Sequence, residues 1–96
     1  MPHAKSIALS EESLRLFREL GDDPASAETL VVLGNAVAEA GDLDRARALF
    51  EEASGLATRV SYQKGIYRAL HALGKLERTA GDLARETIAY AYADTG

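Results

Sequence analysis

Leu33-Gly34 returns as Leu73-Gly74, Ala40-Gly41-Asp42-Leu43 returns as Ala80-Gly81-Asp82-Leu83, and Arg45 returns as Arg85, each 40 positions on. One offset shared by several separated landmarks marks a repeat, whose units bury their apolar faces only by stacking on one another. Each copy places a Gly-Asp pair between two stretches of helical periodicity. Glycine accepts the left-handed backbone that ends many helices, and aspartate caps the free N–H groups of the next. So short a connection makes consecutive helices antiparallel neighbours.

Taken in order, residues 4–20 put Ile7, Leu9, Leu14, Leu16, Phe17 and Leu20 in helical spacing, and Gly21 stops that helix. Asp23-Pro24 starts a second, because Asp caps and Pro is harmless in the first turn. Ala27, Leu30, Leu33, Gly34 and Val37 recur along it at intervals of three and four. Gly34 costs about 1 kcal/mol against Ala in mid-helix, which points to close approach of a neighbour, expected to be Ala46. A third helix carries Leu43, Ala46, Leu49, Phe50, Ala53, Leu56, Ala57 and Val60 on one side. Ser61 is read as the cap of a fourth, with Ile66, Tyr67, Leu70, Leu73, Gly74 and Leu76 inward. Gly81-Asp82 then repeats the turn, and a fifth helix begins at Leu83. No alternating strand pattern or Asn-Gly hairpin turn competes with this reading.

Leu30, Leu33-Gly34, Val37, Ala46, Phe50 and Ala53 resemble the tetratricopeptide repeat in type and spacing. The phrases FRELGD at 17–22, LGN at 33–35 and AGDLDRARALFEEA at 40–53 resemble its variant of about 40 residues found in large bacterial transcriptional regulators and signalling proteins. The likeness spans about residues 5–93. It implies an all-α fold of antiparallel helix-turn-helix repeats stacked as a short right-handed α-solenoid of about five helices. The divisions expected are a half repeat at 3–21, a full repeat at 22–60 and a degenerate repeat at 61–96.

The second copy departs where packing is tightest. Glu77 stands at the place of Val37 and Glu86 at that of Ala46, so the last helix is expected to be displaced or frayed. Ser6, Ser10 and Ser13 of the half repeat stand where Ala46, Phe50 and Ala53 come later. Stacked repeats need covered ends. Leu9, Leu16 and Phe17 at one end, with Ile88, Tyr90 and Tyr92 at the other, therefore predict a homodimer or a continuation of the chain.

Composition narrows the function. With 47% apolar and 27% charged residues and a net charge of −4, the chain has ordinary soluble composition and lacks the basic face of a nucleic-acid binder. It has no cysteine, which fits a cytoplasmic setting. The start, Met-Pro-His-Ala-Lys-Ser, has no apolar core of a signal peptide. The apolar run at Leu30–Leu33 falls far short of the roughly 20 residues that cross a bilayer, so no membrane partner is expected.

Catalytic patterns are missing. His3 and His71 have no second ligand at metal spacing, so no metal and no cofactor are expected. Glu11-Glu12 and Glu51-Glu52 are adjacent on helices and diverge by about 100°, too far apart to flank one bond. Gly74-Lys75 lacks the upstream glycine and the strand of a phosphate loop. No serine sits in a G-x-S-x-G elbow.

One stripe of the fourth helix gathers Arg68, His71, Lys75 and Arg78 at spacings of three, four and three. The family resemblance makes the first helix of each pair line a concave groove, which sets Glu28, Val31, Asn35 and Ala38 opposite. Glu28, Val31, Asn35, Arg68, His71, Lys75 and Arg78 are thus the candidate site for a protein or peptide segment, acidic in character. The competing reading pairs Arg68 with Glu28 and leaves the rest a solvated face. Function is read as a non-catalytic binding scaffold. The alternatives are a sensor segment of a larger bacterial transcriptional regulator and, remotely, an enzyme.

Overall fold

A computed structural model describes residues 2–95. Four helices follow one another: α1 (Pro2–Leu20), α2 (Asp23–Glu39), α3 (Leu43–Arg59) and α4 (Gln63–Thr95). Neighbours in sequence are neighbours in space, and α4 also lies against α2. Among the described residues, no helix is long and apolar enough to cross a membrane.

The three turns share one hydrogen-bond pattern. Asp22 N–H donates to the Phe17 carbonyl, Asp42 N–H to Val37 and Tyr62 N–H to Ala57, at 3.0, 3.1 and 2.8 Å. The residue before each sits in the left-handed region: Gly21 at φ 70°, Gly41 at φ 98° and Ser61 at φ 56°. The Gly21, Gly41 and Ser61 N–H groups donate in turn to the Arg18, Ala38 and Thr58 carbonyls, and this double closure satisfies the last carbonyls of one helix while the next begins. Asp42 caps α3 through the Arg45 N–H at 3.1 Å, as expected. Two expectations shift. The cap of α2 is Asp22, which accepts from Ala25 N–H, because Asp23 already lies inside the first turn. Ser61 caps nothing, since it takes the left-handed place that glycine holds in the other turns.

The fourth turn is not made. Gly81 stays inside α4, which continues unbroken to Thr95, so the expected fifth helix is the outer half of the fourth. Its counterpart hairpin, α2–α3, closes through Val37 and Ala46, 1% and 0% exposed. Folding α4 back would set Glu86 and Glu77, whose carboxylate Arg47 holds at the surface at 2.6 Å, in those places, and two carboxylates leaving water with that one cation between them oppose the turn. From Asp82 through Ala91 every side chain is exposed.

The core is where α2 meets its neighbours. Leu30, Leu33, Val37, Ala46, Phe50 and Ala53 are essentially dry, joined by Leu14 of α1 and by Ala69, Ala72 and Leu76 of α4. Gly34 takes its close contact from the Phe50 ring rather than from Ala46: a Cβ there would stand 2.7 Å from Phe50 Cδ1. Two expected core stripes are only partly buried. On α1, Leu9, Leu16 and Leu20 are 60, 45 and 77% exposed, and on α4, Tyr67 and Leu70 are 71 and 55% exposed. The α1 stripe is broader than the face that α2, its one neighbour among the described residues, covers, and Tyr67 and Leu70 lie outside the face that α4 turns to α2 and α3.

Candidate functional site

Glu28, Val31 and Asn35 lie along one face of α2, at helical spacings of three and four. Arg68, His71 and Lys75 do the same on α4. Because α2 and α4 touch, these six side chains line one open groove of about 470 Å³. Ala72 and Val31 are its buried floor, and Val32, 54% exposed, is its apolar rim. Arg78 is exposed and does not line it. It lies beyond Lys75, past the groove's end.

One end of the groove is polar and closed by internal bonds. The Glu28 carboxylate accepts from the Tyr62 hydroxyl at 2.6 Å and from Arg68 Nη1 at 3.2 Å. The interhelical Arg68–Glu28 pair weighed from the sequence is therefore present. The bond to Glu28 raises the Tyr62 pKa, helped by burial and by the carboxylate's charge, while Arg68 acts the other way. At the other end, His71 and Lys75 form no ion pair among the described residues. His71 stacks on Tyr67 instead, with ring centroids 6.0 Å apart and planes 13° from parallel.

Tyr67 and Val32 were not among the sequence candidates, yet both line the groove. The signal for Tyr67 was present, since it precedes His71 by four residues on the same helix. Val32 had none, because its neighbours Val31 and Leu33 both point inward and only the placement of α4 gives its side chain a groove to border.

The arrangement offers an apolar floor, an aromatic pair, an amide at Asn35 and a free ammonium at Lys75. Such a surface holds a chain segment by its side chains, its backbone and a carboxylate. Lys75 and Asn35 also border a second cavity of about 250 Å³ with Leu43, Phe50 and Leu76, which extends the apolar surface toward the α2–α3 turn.

No curated protein and no solved structure matches the chain. The family model described as the tetratricopeptide repeat matches residues 2–59, from the first helix to the end of α3. The left-handed turns at Gly21 and Gly41, the antiparallel helices that they join and the Gly34–Phe50 contact lie within that match. The chain belongs to the tetratricopeptide repeat family.

Proposed function

We propose that the chain is a non-catalytic scaffold, a short right-handed α-solenoid in a cytoplasmic setting, that binds a peptide segment of a partner protein in the α2–α4 groove. The observation that supports this most is the convergence of Val31, Val32, Asn35, Tyr67, His71 and Lys75 on one open surface. Repeats of this family generally mediate protein–protein contacts. Arg68 is engaged by Glu28, so Lys75 is the cation left to meet a carboxylate, and the segment is acidic at that point.

Fluorescence anisotropy with labelled peptides of acidic, neutral and basic character tests this reading. Acidic peptides with an apolar residue should bind best and more weakly as salt rises. Lys75→Glu should lower their affinity roughly fivefold, the size of an exposed charge contact. Equal binding of all three classes, or none, would show the groove to be solvated surface.

A second reading is self-association. Leu9 and Leu16 on α1, and Leu70, Ile88 and Tyr90 on α4, are exposed apolar side chains, and such patches mark contact surfaces. The Tyr92 side chain, also expected there, lies outside the described residues.

A further inference from the structure

We propose that copies of this chain stack head to tail, with α1 of one copy seated on the α3–α4 edge of the next. The proposal rests on the self-association reading and names the two faces.

The first half of α4 is the repeat equivalent of α2, 40 positions on. Over α2, α3 is seated, so Leu30 is 0% exposed and Phe50 covers Gly34. The same seat on α4 is empty: Leu70 is 55% exposed, and nothing lies within 4 Å of a Cβ built on Gly74. The chain's own outer α4 does not fill it, because the helix runs straight through Gly81. Glu86 would moreover bring a carboxylate to the place that Ala46 holds, beside Glu77.

The helix that fits the seat is α1, which is equivalent to α3 at the same offset. It carries Ser6 where Ala46 stands, small enough for the close approach, and Ser10, 8% exposed within its own copy, where Phe50 stands, so the approach to Gly74 is made without an aromatic ring. Its Leu9 and Leu16, 60 and 45% exposed, correspond to Leu49 and Leu56, which are packed against the core. Charge agrees as well. Within one copy, Arg45 of α3 reaches back to Glu11 of α1 at 3.1 Å. Advanced by 40 positions, that bridge joins Glu51 of one copy to Lys5 of the next. Both side chains are exposed and make no ion pair among the described residues. The two faces differ, so the contact is heterologous and does not close as a two-fold dimer does.

Sedimentation velocity of the 96-residue chain over a concentration series tests this. Average mass should climb past the dimer as concentration rises. Leu9→Glu and Leu70→Glu, both at exposed positions, should each weaken association at least about tenfold by forcing a charge into the contact, with circular dichroism unchanged. Mixed together, they should form a one-to-one heterodimer, since each retains the face that the other lacks. A wild-type chain that stays monomeric at high concentration would overturn both this stacking and self-association itself. A wild-type dimer that grows no further, or a mixture that stays monomeric, would leave self-association standing and overturn the stacking.

Discussion

The Phe50 ring fills the space in which any side chain on Gly34 would begin, with Cδ1 2.7 Å from where a Cβ would stand. The equivalent pair, Gly74 and Tyr90, is unmade: Gly74 has open space beside it and Tyr90 is 68% exposed. The same glycine is thus a packing requirement in one copy and a bare helix position in the other.

Gly34→Ala should therefore destabilise the fold by about 1–3 kcal/mol, the usual cost of overpacking. Gly74→Ala should stabilise it by up to about 1 kcal/mol through helix propensity alone. Denaturant unfolding of the two variants at low concentration checks the opposite signs. A matching loss from both would mean that Gly74 is also covered.

Ser61 holds φ 56° in a turn whose counterparts use glycine. A left-handed backbone costs a residue with a Cβ roughly 1–2 kcal/mol. Ser61→Gly should gain about 1 kcal/mol, and Gly41→Ala, at φ 98°, should lose a similar amount. Thermal unfolding of both variants measures it.

Ser26 is 1% exposed and its hydroxyl has no hydrogen-bond partner. Leaving a buried hydroxyl unpaired costs about 1–3 kcal/mol, so Ser26→Ala should raise stability, by about 1 kcal/mol after the loss of its packing contacts. A lower midpoint in urea for the variant would show that the hydroxyl is satisfied in solution.

Tyr62 predicts a response to alkali. Its hydroxyl donates to Glu28, which raises its folded pKa above the ordinary value near 10. The neutral form is the one that the fold favours. Its contribution is therefore complete below the unfolded pKa and lost as pH rises through the higher folded value. Tyr62→Phe should be less stable than wild type at neutral pH by an amount that shrinks in alkali. In tyrosinate absorbance, the signal lost in Tyr62→Phe should titrate late in the wild type and earlier in Glu28→Gln.

The groove was largely legible because its residues follow local rules. Glu28, Val31 and Asn35 share a face of one helix at spacings that any helix imposes, as do Arg68, His71 and Lys75. The Arg68–Glu28 pair was weighed from the sequence and is present, but the rest of their engagement could not be read. Glu28 is occupied by Tyr62, a residue 34 positions away, and Arg78 falls outside because the groove ends before it. Those facts depend on where two separate helices lie, which periodicity along one helix does not encode.

The turns divide in the same way. Gly21, Gly41, Asp22 and Asp42 act through their own backbone and nearest N–H groups, so sequence alone determined where α1 and α2 end and where α2 and α3 begin. Ala80-Gly81-Asp82-Leu83 holds the same letters as Ala40-Gly41-Asp42-Leu43, yet α4 runs through it. A helix hairpin closes only when the burial that follows outweighs the cost of interrupting the helix. Val37 and Ala46 supply that burial in the first pair, whereas Glu77 and Glu86 would have to leave water in the second. Tertiary packing decided the outcome at Gly81 because a turn signal is local, while the free energy that makes the turn comes from residues brought together only after it forms.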